Sequence, residues 1–226
     1  MSKPPEAAAP RFKRGQGFGE EIFEIIRADI MSLKIPPDTR ISIDNLAKEL
    51  GVSQTPIREA LSMLEALGLV TRKQFSGYCT APKLNREQFE ELYEIRLLLE
   101  PYAARCAAKR MDDQAIAEIC ELAGRREPVE QGGGPASFRI SADDDSELHA
   151  KIAQGSKNRL IVESLSRLHT HLHLFRLHFP TKVNTEVFAE HARLVEALKR
   201  RDPREAEAAM RAHIKNSHAR LIQFVE

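Results

Sequence analysis

Asp145 and His149 stand four residues apart in DDDSELHAKI, which puts a carboxylate and an imidazole on one face of a helix beside the apolar Leu148 and Ile152. Further along, His191 shares a helical seam with Val187, Leu194 and Leu198, and His213 follows Ala206, Ala209 and Met210 on an inward face. Three helices of a bundle thus aim polar ligands inward, which is how bundle-core metal sites are built. Each histidine also has a plainer reading, a core side chain satisfied by one hydrogen bond, and spacing alone leaves both readings open. Three imidazoles and a carboxylate would suit a divalent ion, zinc first and nickel, iron or manganese after it, with coordination positions left for water or a ligand carboxylate. Arg96, in YEIRLLLEP, falls on the face of Leu92 and Leu99, and a buried arginine needs an anion: either an internal glutamate or the carboxylate of a bound small molecule. His169, His171, His173 and His178 crowd THLHLFRLH, but steps of two residues turn neighbours about 200° apart on a helix, so they read as core-edge or partly exposed groups.

A second chemistry lies near the N-terminus. Ile57, Ala60, Leu61 and Leu64 mark the buried side of a helix whose opening turn then exposes Gln54, Thr55 and Arg58, with Ser62 one turn on. Arginine can hold guanine O6 and N7 with two parallel hydrogen bonds, glutamine can do the same to adenine, and the hydroxyls of Ser53 and Thr55 suit phosphate. Arg40 before the preceding helix, and Arg72 and Lys73 after this one, add positive charge where flanking phosphates would run.

These residues need elements to hold them. Residues 1–18, with four basic residues and one acidic, read as a mobile tail. A helix then runs from Glu20 toward Pro36 and Pro37, a second carries Ile43, Leu46, Ala47 and Leu50 and closes at Gly51, and a third opens at Ser53 as N-cap and ends before Gly68. Two β-prone runs, Leu69–Arg72 and Tyr78–Thr80, flank Phe75, Ser76 and Gly77 and suggest a hairpin. Two helices joined by a short glycine-containing turn and followed by a hairpin make a winged helix-turn-helix, placed at residues 19–82. Residues 83–226 read as an all-α antiparallel bundle, so the fold class is mainly α. Its helices span about Asn85 to Arg110 with a kink at Pro101, then roughly 112–123, 142–154, 158–178, 184–200 and 203–224. A loop over residues 124–141 holds Gly132, Gly133 and Gly134, and Asp202, Pro203 and Glu205 open the last helix.

Composition excludes several classes. With 34 Lys plus Arg against 33 Asp plus Glu the chain is no bulk polycation, and no ten consecutive residues lack a charge, so neither a transmembrane helix nor a signal peptide can be drawn. A soluble cytoplasmic protein is the expectation. Cys79, Cys106 and Cys120 are too widely spaced for a zinc knuckle or redox pair and read as buried thiols.

LAKELGVSQTPIREALSMLEALGLV, residues 46–70, closely resembles the DNA-binding signature of the GntR family of transcriptional regulators. That resemblance covers most of residues 20–80. It implies that Arg40, Thr55 and Arg58 stand at DNA-contacting positions and Gly77 at the tip of the wing. Gln54 departs from the pattern, since many members carry arginine there, so the family's typical operator does not carry over. DDDSELHAKI, AEHARLVEAL and AAMRAHI resemble the three signatures of the FCD domain, the effector-binding domain of the FadR branch, over about residues 85–222. The number of helices looks more like the VanR-type subgroup. By that resemblance Asp145, His149, His191 and His213 hold a divalent metal and Arg96 and Asn158 bind the effector, Arg96 at its carboxylate and Asn158, in GSKNRLI, at a recurrent position at a helix start that capping would also explain. The implied protein is a homodimeric regulator, a repressor by the commoner family behaviour, that reads a pseudo-palindromic operator and releases it on binding a small organic acid. One recognition helix contacts too few base pairs for genomic specificity, which independently favours two-fold symmetry. A DNA-binding regulator whose metal is structural or itself the signal is the alternative. A metal-dependent hydrolase with Glu147 or Glu190 as base is a remote one, because no residue specifies a substrate.

Overall fold

The computed structural model describes residues 18–73, 77–124, 135–177 and 185–225. The tail to residue 17, the hairpin residues Phe75 and Ser76, the three glycines at 132–134 and His178 lie outside the described residues. The chain divides between Lys83 and Leu84 into two compact units.

In the first unit, α1 (Phe18–Met31), α2 (Ile43–Leu50) and α3 (Gln54–Ala66) precede the strands β1 (Val70–Lys73) and β2 (Gly77–Thr80). Helix α1 starts two residues before Glu20. Ile22, Ile26 and Ile30 of α1 and Ile57, Ala60, Leu61 and Leu64 of α3 are fully or almost fully buried, which leaves the polar side of α3 outward. Ser42 caps α2 by accepting a hydrogen bond from the Asn45 amide, and Gly51 closes it with φ 67°, where a β-carbon would strain the turn. Ser53 holds the extended backbone of an N-cap but its side chain makes no capping bond, a departure from the expected role that leaves the hydroxyl exposed. The strands pair antiparallel from Val70↔Thr80 to Lys73↔Gly77. Thr80 staples the loop before α2 to this hairpin: its hydroxyl donates to the Pro36 carbonyl at 2.6 Å and accepts from the Thr39 amide at 2.8 Å. Arg40 bridges to Cys79 beside it, which sets Arg40 next to the wing.

The second unit consists of α4 (Arg86–Arg110), α5 (Asp113–Gly124), α6 (Pro135–Gly155), α7 (Arg159–Arg167), α8 (Thr170–Leu177), α9 (Thr185–Lys199) and α10 (Pro203–Leu221), with a short 3-10 turn at Ile222–Phe224. Asn85 and Gln88 form the expected reciprocal capping box of α4, and Asp202 caps α10 through the amides of Arg204 and Glu205. Helix α4 is buried along one side by Phe89, Leu92, Tyr93, Ala104, Ala107 and Ala108, and α6, α9 and α10 close around it with Leu148, Ile152, Leu194, Leu198, Met210 and Ile214. Two helix boundaries differ from the sequence reading. Helix α6 begins at Pro135 instead of about 142, consistent with proline's fitness for a first helical position. The expected single helix over 158–178 is broken into α7 and α8 at Leu168 and His169, where His169 takes a left-handed φ of 45°.

Candidate metal centre and nucleic-acid interface

Asp145 and His149 on α6, His191 on α9 and His213 on α10 each present a ligand atom, and these four atoms lie within 4.8 Å of one another. The three histidines are 7%, 2% and 4% exposed. Ring centroids of His191 and His213 are 4.6 Å apart, and those of His149 and His213 are 5.1 Å apart. Asp145 Oδ1 is 3.1 Å from His191 Nε2.

Two of the three imidazoles are aimed by what their other nitrogen touches. His149 Nδ1 meets Glu100 Oε2, and His213 Nδ1 meets Glu190 Oε2 at 2.8 Å. A carboxylate only accepts, so in both rings Nδ1 carries a proton, and the neutral form of either ring has its lone pair on Nε2. His149 Nε2 is buried with no hydrogen-bond partner among the described residues, which is costly for a polar atom unless something absent from the chain completes it. Burial pushes His149 down to about 4 against the pull of Glu100, so the ring is neutral and able to ligate at neutral pH. Burial opposes the charge on Asp145, but His171 and then His191 and His149 outweigh it and hold the carboxyl well below its usual range. Glu190 is anchored in turn by Arg220 at 2.7 and 2.9 Å and by Asn216 at 2.8 Å, and despite burial these partners and His213 hold its carboxyl down at about 2. Ligands at about 2.0–2.2 Å from one ion span roughly 4 Å when opposed, so this donor set fits a divalent metal after small inward shifts.

Beside these four, Arg96 on α4 is 1% exposed; its Nε donates to Glu100 Oε1 at 2.6 Å, while its Nη1 is buried without a hydrogen-bond partner. The guanidinium also lies 5.1 Å from the Tyr93 ring. Both readings of Arg96 thus find material in the fold: an internal glutamate holds one edge and another edge is left over. Asn158 Oδ1 accepts from the Leu160 and Ile161 amides and so caps α7. Two residues of this cluster, Glu100 and His171, were not read from the sequence as parts of it, and a third, Glu190, was read only as the base of the remote hydrolase alternative. Glu100 joins Arg96 to His149, His171 Nδ1 donates to Asp145 Oδ2 at 2.7 Å, and Glu190 orients His213. Glu100 had a sequence signal, an acid four residues after an inward arginine in an apolar run. His171 had none, because its position depends on the break at His169. Glu147 is exposed and Glu190 is fully engaged, so neither is poised as a base.

In the first unit Ser53, Gln54, Thr55 and Arg58 are all exposed at the start of α3, and Arg40, Arg72 and Gly77 are exposed along the wing side. Gln54 donates to Asp44 on α2 and accepts from Arg58 Nη2 at 3.3 Å, a surface chain that prearranges both side chains. Gly77, the first residue of β2 and paired with Lys73, has φ 75°, a left-handed conformation that favours glycine. Arg72 lies 5.9 Å over the Tyr78 ring, and Lys73 pairs with Asp38 at 2.6 Å.

A helix-turn-helix with an outward polar recognition face and a two-stranded wing, linked in one chain to a helical unit with a polar centre, defines a DNA-binding transcriptional regulator. Residues 18–79 match the bacterial regulatory proteins of the gntR family, and residues 91–216 match the FCD domain. The chain belongs to the gntR family, in its FCD-containing branch. It is 29% identical over 216 residues to the HTH-type transcriptional regulator LutR of Bacillus subtilis, covering 84% of this chain and 94% of that one. It is 26% identical over 234 residues to the Uxu operon transcriptional regulator of Escherichia coli, covering 91% and 87%. Among solved structures, E. coli McbR/YncC superposes with a TM-score of 0.70 at 22% identity, covering 91% of this chain and 97% of that one, which shows a shared fold. These relatives are regulators, and the chain is a regulator and not an enzyme. Among the described residues no helix is long and apolar enough to cross a membrane.

Proposed function

We propose that the protein is a homodimeric repressor whose helical unit binds a divalent metal, zinc first, together with a small organic carboxylate. Asp145, His149, His191 and His213 hold the metal, and Arg96 receives the carboxylate. The winged units read the halves of a pseudo-palindromic operator through Gln54 and Arg58 at base edges and Arg40, Ser53, Thr55, Arg72 and the turn at Gly77 along the backbone. The observation that carries the metal reading is the convergence of four donors from three helices on one point, with His149 Nε2 buried and unsatisfied. The spare Nη1 of Arg96 supports an anionic ligand, because a guanidinium edge buried without a partner is stabilised by a carboxylate more than by any neutral group. A bound divalent ion would supply positive charge and open coordination positions to the same anion. Carboxylate binding shifts the placement of the two DNA-reading heads and releases the operator, and by linkage operator and carboxylate change each other's affinity by one factor.

The test is thermal unfolding of the purified protein with small mono-, di- and hydroxycarboxylates, each with and without a chelator. A ligand at 100 times its Kd adds about 2.7 kcal/mol, which raises the midpoint by roughly 5–10 °C for a chain of this size. A metal-dependent rise with one acid class, accompanied by loss of operator binding, is the expected result. No rise with any acid, with collapse on chelation, would assign the metal a structural or sensing role instead. Asn158→Ala serves as a control: losing the α7 cap costs about 1 kcal/mol of stability, and the carboxylate-induced rise in midpoint persists because the side-chain oxygen is committed to the helix. A lost rise in this variant would place Asn158 at the ligand.

A further inference from the structure

Glu100 is the one carboxylate in this cluster that touches both of its working ends. It is 5% exposed, on α4, and its two oxygens are divided: Oε1 accepts from Arg96 Nε and Oε2 from His149 Nδ1. Arg96 Nη1 at one end of this chain and His149 Nε2 at the other are both buried without a hydrogen-bond partner among the described residues. We propose that Glu100 is a positioning residue that fixes the His149 tautomer, so that Nε2 is always the metal-facing lone pair, while tying that ring to the anion-receiving Arg96. This inference rests on the metal reading above and adds to it the residue that makes His149 a ligand.

The reason lies in donor and acceptor counting. Imidazole has two neutral tautomers, and only the one protonated on Nδ1 can ligate through Nε2. Arginine has no acceptor and cannot change its donors. A carboxylate satisfies both neighbours because each of its oxygens accepts. An amide cannot: with one oxygen and one NH2, it must give its oxygen to the inflexible Arg96 and its N–H to His149. The ring then has to accept at Nδ1 and carry its proton on Nε2, pointing a hydrogen at the place of the metal. Glu100→Gln, nearly the same shape, therefore switches the tautomer. In Arg96→Met/Glu100→Gln the amide is released from the arginine, turns its oxygen to His149, and restores the ligating tautomer.

The experiment is zinc affinity by competition with a chromophoric chelator, paired with the 15N spectrum of histidine-labelled full-length protein before zinc is added, His149 being assigned by its loss in His149→Gln. Wild type is expected to show His149 protonated on Nδ1. Glu100→Gln is expected to show it protonated on Nε2 and to bind zinc about 10- to 100-fold more weakly, the usual cost of losing an outer-shell partner. The double variant should recover both. A merely structural ion pair would lower stability in Glu100→Gln without moving the proton between nitrogens. If Glu100→Gln does not fold, the Arg96→Met background lacks the cation that pairs with Glu100 and gives the same contrast: adding Glu100→Ala must weaken zinc relative to adding Glu100→Gln. Unchanged zinc affinity in Glu100→Gln, or unchanged tautomer with affinity lost, overturns the role of Glu100 alone. Wild-type protein that takes up no zinc overturns the metal reading and this one with it.

Discussion

Replacing His191 with alanine is expected to leave the protein without stoichiometric metal. His191 is 2% exposed on α9, and it is the only one of the four proposed ligands contributed by that helix. Its removal takes away an inner-sphere donor, so the affinity loss should exceed the roughly 10- to 100-fold typical of outer-shell changes. Metal content of dialysed protein checks this directly, with about one ion per chain in wild type and none in the variant. A second consequence follows from mass action. If wild type carries metal at 100 times its Kd, chelation removes about 2.7 kcal/mol and lowers its midpoint by roughly 5–10 °C. The variant starts from the lower midpoint and does not respond to chelator. Retained stoichiometric metal in His191→Ala would show that the ion sits elsewhere. The winged unit has its own core of Ile22, Ile26, Ile57, Leu61 and Leu64, so non-specific DNA binding at low salt should survive the substitution.

How much of this centre was legible in the sequence depends on the range of the interaction. Asp145 and His149 were legible because a four-residue step on a helix is a spatial contact whatever the rest of the chain does. His191 and His213 were legible because apolar neighbours at helical spacing mark an inward face. Which residues stand behind the ligands is a different matter, since those contacts join distant segments. Glu100 reaches His149 across 49 residues and His171 reaches Asp145 across 26, and no local period encodes either pairing. His171 shows the physical reason most plainly. Read as part of one continuous helix, its ring falls on a face opposed to its histidine neighbours; the left-handed turn at His169 restarts the helix at Thr170 and gives His171 a direction that a continuous wheel cannot supply. The first unit was legible more completely, because its core comes from short-range apolar periods and the close of α2 from Gly51. Even there the capping role of Ser53 did not materialise, and the bond from Gln54 to Asp44 on α2 could not be seen before α2 and α3 were docked.

That last contact bears on the second large effect, the loss of operator recognition in Arg58→Ala. Arg58 is exposed on the outward face of α3, one turn beyond Gln54, with Nη2 donating to Gln54 Oε1 at 3.3 Å. Among the described residues its side chain makes only that one contact, and an exposed side chain with one long surface hydrogen bond changes stability by no more than about 0.5 kcal/mol when truncated. In the proposed role at the DNA, a bidentate contact to guanine is worth about 1–3 kcal/mol of discrimination, or roughly 5- to 150-fold in specific affinity. Arg58→Ala is therefore expected to bind the native operator that much more weakly and to lose preference at one base pair in each half-site, while its thermal midpoint and carboxylate response stay those of wild type. Arg72→Ala should behave differently, weakening binding to all sequences alike and reducing the salt slope by about one, because a wing arginine over the backbone neutralises a phosphate and reads no base. Gln54 sharpens the contrast, since its amide is already held by Asp44 and Arg58 and is aimed before DNA arrives. Truncating it frees both neighbours, so Gln54→Ala should weaken the Arg58 contact as well as its own, and the double substitution should cost less than the sum of the two singles. Unchanged operator affinity in Arg58→Ala, measured on matched and mismatched half-sites at one salt concentration, would show that α3 is not the reading helix.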